Sequence, residues 1–253
     1  MNCRRDVGSA FRLRVQLRRT AAALPEAVRW TVSYADGAAL IVALLVTLML
    51  SLLGAAFALV TSSEALIAEN FRNAQEALQA AESAAERALA DLDALPSWSL
   101  ALDGTVRSPF VDGLPSGTRT LQGGSILDLT QVRNLANCRK TTSCSAAEMD
   151  AVTTDRPWGP NNPRWQLFLY GWLRDAARPA AIESPYYIVV LVGDDPSETD
   201  NNPSRDGQPP GLGAGVLVLR SEAFGPHGIG KTIDLTISRA ASGHVRVVAW
   251  RPD

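Results

Sequence analysis

Apolar side chains follow two different patterns in the first part of this chain, and each pattern predicts a different kind of surface. Residues 38–60 form one run without a charged side chain. A helix that rises about 1.5 Å per residue would extend roughly 34 Å over this run, which is enough to cross the hydrocarbon core of a bilayer with some tilt. The run therefore predicts a transmembrane helix that is apolar on every side.

In the residues that follow, apolar side chains are concentrated on one side of the predicted helix. Residues 61–95 contain no Gly or Pro and are rich in Ala, Glu, Leu and Gln, which are strong helix formers. Apolar or small residues recur there at alternating steps of four and three, which places them on one seam: Ile67, Phe71, Ala74, Leu78, Ala81, Ala85, Ala88 and Leu92. We therefore predict one helix over 38–95, transmembrane over 38–60 and amphipathic over 61–95. Its part after about Gln75 is expected to pack on its own domain.

The last third of the chain has the composition of strands. Five runs rich in β-branched and aromatic residues, separated by turn-forming clusters, predict strands at 165–172, 186–192, 215–220, 232–238 and 244–250. Ile233, Leu235 and Ile237 alternate with polar residues, as in a sheet with one face on a core. The short connection after the fourth run predicts a hairpin. The fold class is therefore α+β: a long N-terminal helix packed on a C-terminal antiparallel β-sheet in residues 164–253.

Charge is distributed unevenly along the chain and predicts its topology. Seven Arg and three acidic residues precede Gly37, whereas the remainder is acidic. Arginine on one flank of an apolar span marks the cytoplasmic side, so we expect an inner-membrane protein with a cytoplasmic N-terminus and a periplasmic C-terminal domain. Residues 1–37 are interpreted as a basic leader peptide. Nucleic acid is excluded as a partner class because the basic residues lie in the leader and the folded part is acidic.

The segment between helix and sheet, residues 96–163, is rich in Gly, Pro, Ser and Thr and is predicted to be a loop-rich connecting region. One short helix is expected at about 129–137, capped by Asp128. Cys138 and Cys144 are separated by five residues, and in an oxidising compartment they most simply close a small disulfide loop. Zinc would need two further ligands, and the chain has only two His.

One acidic loop resembles a ligand site. Residues 193–207 carry hard oxygen donors of the kind that Ca²⁺ prefers, so calcium is a candidate ligand, while no other cofactor is expected. Arg205 stands where the calcium-loop pattern needs glycine, and no glutamate closes that pattern. The alternative is a solvated loop between strands. The candidate donors are Asp194, Asp195, Glu198, Asp200, Asn202 and Asp206.

No set of residues predicts catalysis. His227 lies in a turn-forming sequence and His244 begins a strand, and neither has a nucleophile or an orienting group nearby in the sequence. The chain is therefore predicted not to be an enzyme. A cell-envelope enzyme or adhesin on a signal anchor remains an alternative of another class.

Four stretches of the predicted helix carry a resemblance to a known family: 37–45, 62–64, 68–78 and 80–89. Together they resemble type IV pilin-like proteins, and specifically minor pilins with a PilX-type N-terminal domain. The resemblance implies that a prepilin peptidase cuts after Gly37, that the new N-terminus at Ala38 is methylated, and that the helix packs with other pilins in a filament. The protein would then also occur in the extracellular pilus.

One position departs from the pattern of the major pilins. The resemblance places a glutamate at the fifth position of the mature chain, where this sequence has Val42. A carboxylate inside an apolar bundle is costly unless it is paired, so its loss removes one interaction that favours addition beneath an existing subunit. The departure predicts a minor, priming or tip-associated subunit that acts in pilus assembly. The type II secretion tip pseudopilin is the alternative, although residues 96–163 leave no room for its inserted helical domain.

Overall fold

The computed structural model describes residues 35–176, 183–207, 211–240 and 243–252. The chain divides into two compact units, Met1–Ser63 and Glu64–Asp253. The predicted leader lies outside the described residues except for its last three positions, so its prediction stays untested.

The predicted long helix is present. Helix α1 runs over Ala35–Asp93, three residues earlier at its start and two at its end than the sequence predicts. From residue 38 to residue 63 every side chain is exposed. The helix contains an 18-residue window with a mean hydropathy of 2.6 and is long and apolar enough to cross a membrane. Residues 38–60 are called the apolar segment below.

The apolar segment contains two polar side chains, and both bond to their own helix. Thr47 Oγ1 donates to the Leu44 carbonyl at 2.9 Å, and Ser51 Oγ donates to the Thr47 carbonyl at 2.7 Å. Each hydroxyl thereby has a partner without water, as an apolar environment requires.

The second unit contains an antiparallel sheet of five strands, as the sequence predicts. The strands pair in chain order, so the sheet is a meander. Irregular register occurs between Leu167 and Leu169 and between Thr236 and Ile237. The strands are β1 (Thr118–Thr120) and β2 (Ile126–Asp128), which form a separate small sheet, and then β3 (Gln166–Trp172), β4 (Tyr187–Asp194), β5 (Val216–Phe224), β6 (Gly230–Arg239) and β7 (Val245–Pro252).

One face of the five-stranded sheet packs on the second half of α1. The helix contributes the alanine seam, which we define as Ala77, Ala80, Ala81, Ala84, Ala85 and Ala88. Each of these alanines is at most 1 % exposed. The buried strip is wider than the predicted seam, because Ala77, Ala80 and Ala84 also face the sheet.

Alanine lets the helix and sheet approach within hydrogen-bonding distance. Ser221 Oγ on β5 donates to the Ala81 carbonyl at 2.7 Å. The hydroxyl of Tyr186 donates to the Asn73 carbonyl at 2.9 Å. Larger side chains on the seam would hold the two backbones apart, so the small residues account for the tight packing.

The opposite face of the sheet is covered by the connecting region. Three α-helices lie in this region: α2 (Ser99–Leu102), α3 (Leu129–Cys138) and α4 (Ala146–Asp150). The sequence predicts only α3. The N-cap of α3 is Asp128, whose carboxylate accepts hydrogen bonds from the amides of Thr130 and Gln131. Leu129 and Val132 of α3 pack with Leu191 of β4 in a second core. All eight residues of β4 are consequently buried.

Candidate functional site

The strongest candidate for a functional surface is the exposed apolar segment of α1. Its large side chains are well exposed, among them Leu48 at 57 % and Phe57 at 70 %. An apolar surface of this size marks a membrane or protein-interaction site, because soluble monomers rarely expose one. The Gly37–Ala38 peptide bond, predicted to be the processing site, lies in the first turn of α1.

The apolar surface extends beyond the segment onto the start of the second unit. Leu66, Ile67 and Phe71 are between 62 and 68 % exposed. All three residues precede Gln75, the position after which the sequence predicts that the helix packs on its own domain. The boundary to the buried seam lies between Phe71 and Ala77.

The other end of α1 is fixed to the sheet by an arginine. Arg239 of β6 donates to the carbonyls of Leu95 at 2.9 Å and Leu92 at 3.3 Å. Its guanidinium lies 4.6 Å from the ring centroid of Trp98, whose indole N–H also donates to the Leu92 carbonyl at 3.0 Å. A cation at a helix C-terminus satisfies carbonyls that have no intrahelical partner. The second half of α1 is thus anchored along its length and at its end.

Comparison with protein families shows which known domain most of helix α1 matches. Residues 36–86 match the family model described as PilX N-terminal. The chain carries a type IV pilus PilX-type N-terminal domain. The matched residues begin at the predicted processing site and include the apolar segment and most of the alanine seam. Comparisons with curated proteins and with solved structures give no match.

The PilX-type domain is a structural domain of pilins, and a long apolar N-terminal helix fits a membrane anchor in such a protein. The resemblance seen in the sequence is therefore confirmed for the N-terminal domain. Residues 87–253 lie outside the match, and their features are described from the structure alone.

The disulfide loop lies outside the PilX-type domain, between α3 and α4. Cys138 and Cys144 are bonded, with their Cα atoms 6.0 Å apart. Ser145 follows the loop and caps α4, in a capping box with Glu148. The disulfide thereby closes the connection between α4 and α3, and α3 packs on the outer face of the sheet.

The structure assigns four of the six candidate calcium donors to ordinary loop positions. Asp195 accepts hydrogen bonds from the amide and hydroxyl of Ser197. The Asp200 carboxylate accepts from the amide of Asn202 at 2.8 Å, and Asp206 accepts from the amide of Gly215 at 2.7 Å. These contacts are typical of turns that close through an acidic side chain.

The remaining two donors, Asp194 and Glu198, differ because they are buried. They are 3 % and 5 % exposed. Burial raises the pKa of Asp194 to about 8, and burial also raises the pKa of Glu198. Within the residues that the structure describes, no group of three or more His, Cys, Asp or Glu side chains is arranged to hold a metal ion. Calcium binding by the six candidate donors stays a prediction.

A groove of about 830 Å³ on the outer face of the sheet was missed by the sequence analysis. Arg220 of β5 donates to Asp234 of β6 through two N–H groups, at 2.8 and 3.1 Å, and Arg251 of β7 donates to the same carboxylate at 3.1 Å. The Arg220 guanidinium also lies 5.3 Å from the ring centroid of Trp165. Burial acts to raise the pKa of Asp234, but the hydrogen bonds and positive charges of Arg220 and Arg251 together outweigh burial and lower the pKa.

Ion pairs beside a tryptophan suit the recognition of a polar partner. A signal for this groove exists in the sequence. Arg220 alternates with buried Leu219 and Ser221, and Asp234 alternates with Ile233 and Leu235, so both charged residues face away from the helix.

Proposed function

We propose that this protein is a minor, priming or tip-associated subunit of a type IV pilus machinery and that it acts in assembly without catalysis. The observation that carries the proposal is the division of α1 within the PilX-type domain. One part of the helix is buried against its own sheet, while the apolar segment is exposed on all sides. An exposed apolar helix needs a lipid or helical environment.

The proposed partners follow from the apolar segment. Before assembly it spans the inner membrane, with residues 1–37 in the cytoplasm and the sheet domain in the periplasm. After assembly it packs with the N-terminal helices of other pilins in the filament core. Prepilin peptidase is the proposed processing enzyme, with cleavage between Gly37 and Ala38 and methylation of the Ala38 amine.

Val42 supports a minor role. A carboxylate at this position would need a cationic partner from a neighbouring subunit when it enters the apolar core. With Val42 the helix can enter the core without that pairing. This suits a subunit at the start or tip of a filament, where the pattern of neighbours differs from that along the shaft.

Mass spectrometry of the N-terminus tests the proposal directly. The native protein is purified from membranes of a strain with prepilin peptidase, and the mature chain is expected to begin with N-methylated Ala38. Gly37→Arg should prevent cleavage, whereas Gly54→Ala in the same helix should leave it unchanged, because Gly54 lies beyond the processing site. A wild-type chain that retains residues 1–37 would contradict the proposed processing.

A photo-crosslinker tests the proposed partners. Placed at Leu52 in the apolar segment, it should form covalent products with other pilin subunits, identified by their peptides. The same group at Glu86, outside the apolar segment, should form far fewer. Crosslinks from Leu52 to lipid alone, in cells that assemble pili, would favour a plain membrane anchor.

A further inference from the structure

A second pocket, of about 460 Å³, lies where α3, the disulfide loop and the start of β3 meet. Its volume is within the range of small-molecule sites. No acidic side chain lines it among the residues that the structure describes. Such a lining favours a ligand that accepts hydrogen bonds and carries negative charge. We define the arginine pocket by the six side chains on its walls that carry N–H or O–H donors: Arg133, Arg164, Thr130, Thr141, Ser143 and Ser204.

The polar side of α3 forms one wall of the arginine pocket. Thr130, Arg133 and Asn137 are separated by steps of three and four, so they lie on one side of the helix. Leu129 and Val132 lie on another side, which is buried in the second core. Burial of these apolar residues fixes the orientation of α3 and turns its polar side towards the pocket.

Asn137 joins this wall to the residue that precedes β3. Its side-chain amide donates to the Trp165 carbonyl at 2.9 Å, and its side-chain oxygen accepts from the Trp165 amide at 2.8 Å. Asn137 and Trp165 are both buried. Because Arg164 directly precedes Trp165 in the chain, this pair of hydrogen bonds holds the Arg164 wall of the pocket against α3.

The two arginines have more N–H donors than acceptors. Arg164 pairs with Asp150 through Nη2, and only 15 % of its side chain is exposed. Its Nη1 is buried and has no hydrogen-bond partner in the described part of the chain. The Arg133 carbonyl accepts from Asn137, but no hydrogen bond or ion pair joins the Arg133 side chain to another described residue. A buried guanidinium N–H without an acceptor is costly, so an anion that supplies the acceptor would be favoured.

The groove on the outer face of the sheet differs from the arginine pocket in its charge. In the groove, Arg220 and Arg251 both donate to the Asp234 carboxylate of their own chain. In the arginine pocket, Asp150 is the one carboxylate that pairs with either arginine among the described residues. Two guanidinium charges and one carboxylate leave a net positive charge, which attracts an anion.

The distribution of donors indicates which anion fits the arginine pocket. Thr141 and Ser143 contribute hydroxyls from the loop that the Cys138–Cys144 disulfide closes. A carboxylate has two oxygens in one plane, and a single guanidinium can bind both of them. A phosphate group has oxygens in a tetrahedral arrangement, so it can accept from guanidinium and hydroxyl donors on several walls at once.

We propose that the arginine pocket binds a phosphate group. Arg133 and Arg164 neutralise its charge and donate to its oxygens, while Thr141 and Ser143 donate from the disulfide loop. A free phosphate ion and the phosphate of a larger molecule present the same chemistry to these donors. None of these residues belongs to the PilX-type domain at 36–86, so the proposal does not depend on the role of α1 in assembly.

Titration calorimetry with sodium phosphate tests the pocket, using the full chain in micelles of an uncharged detergent at about pH 7 and low salt. Phosphate should bind saturably, with a dissociation constant of about 1 mM or lower. Sodium acetate should bind at least about tenfold more weakly, because it has fewer oxygens for the donors. Glycerol 3-phosphate distinguishes the sources. Binding tighter than that of phosphate would identify a phosphate ester, and weaker binding would identify the free ion.

Replacing Arg133 separates binding from folding. Arg133→Gln should weaken phosphate binding about tenfold, because it removes a charge and a bidentate donor. Arg133→Lys should weaken binding less, because it keeps the charge. Arg107→Gln is the matched control, since Arg107 is exposed and lies outside the pocket, and it should keep the wild-type affinity. All three variants should unfold at the wild-type urea concentration.

Three results would overturn the proposal. One is the absence of saturable binding of both phosphate and glycerol 3-phosphate by the wild type. Another is a wild-type affinity in Arg133→Gln, or an equal loss in Arg107→Gln, because phosphate would then bind elsewhere or respond to net charge alone. The third is acetate binding as tight as phosphate binding, which would assign the pocket to carboxylates.

Discussion

The two halves of α1 both carry apolar residues, but these residues differ in size and in what covers them. The apolar segment is built from Leu, Val and Ile and is exposed throughout, whereas the buried half uses alanine and is covered by the sheet. Large side chains on the first half maximise contact with lipid or other helices. Small ones on the second half permit the close approach seen between Ala81 and Ser221. Side-chain size thus separates the surface proposed for assembly from the surface used in folding.

A charged side chain introduced into the apolar segment should have the largest energetic effect of any single change in the two halves of α1. Leu48→Arg is expected to cost about 3 kcal/mol of membrane insertion, because an arginine near the middle of a spanning helix is poorly solvated. Carbonate extraction of membranes measures the inserted fraction. Leu66→Arg is the matched control, since Leu66 lies beyond the segment, and it should insert normally. Equal insertion of Leu48→Arg and wild type would show that residues 38–60 are not the span.

Enlarging the alanine seam should destabilise the sheet domain instead. Ala85→Leu is expected to lower the free energy of unfolding by about 2 kcal/mol, because Ala85 is fully buried and extra methyl groups force the helix from the sheet. Urea denaturation in detergent, followed by tryptophan fluorescence, measures this. Ala55→Leu makes the same change at an exposed position and should leave the transition in place. Similar shifts in both variants would remove the distinction between the halves.

The hydrogen bond between Ser221 and the Ala81 carbonyl should contribute less to stability than the packing of the alanine seam. Ser221→Ala removes a buried donor to the Ala81 carbonyl and is expected to cost about 1 kcal/mol of unfolding free energy. Ser63→Ala offers a comparison, because Ser63 Oγ donates to the Val60 carbonyl at an exposed position. That change should have almost no effect in the same urea assay. A Ser221→Ala variant as stable as wild type would mean that this hydrogen bond does not contribute to the packing of the helix on the sheet.

The smallest effect on stability is expected just before the seam. Phe71→Ser should change the unfolding free energy by less than about 0.5 kcal/mol, since Phe71 is 66 % exposed. Piliation, counted by electron microscopy, should nevertheless decrease if this side chain packs on a neighbouring subunit. A loss of stability above about 1 kcal/mol would place Phe71 in the folded core and shift the boundary between the halves towards the N-terminus.

The sequence predicts the helix and the five main strands well, because their apolar patterns are long and regular. Observed strand ends differ from predicted ones by at most four residues, the largest difference being at the end of β5. The cover on the outer face of the sheet is different. Leu121, Leu127 and Leu129 lie in very short apolar runs between polar and turn-forming residues, so no extended period reveals that they share a core. The continuous apolar run of β4 is the one local sign that the sheet is covered on both faces.

The candidate sites were predictable to different degrees. Cys138 and Cys144 could be paired from their spacing and the predicted export. The acidic loop was recognised from composition, but the burial of Glu198 depends on the close approach of Gly207 and Gly213, which are distant from Glu198 in the sequence. The Arg220–Asp234 pair joins residues that are adjacent only once β5 and β6 are in register.

The internal bonds of Thr47 and Ser51 limit how the apolar segment can choose its neighbours. Because both hydroxyls bond to carbonyls of the preceding turn, a neighbouring helix that approaches from any side encounters apolar side chains. The apolar segment can then distinguish among partner helices only by the shape of its surface, such as the gap at Gly54. We therefore expect it to pack with the helices of several different partners.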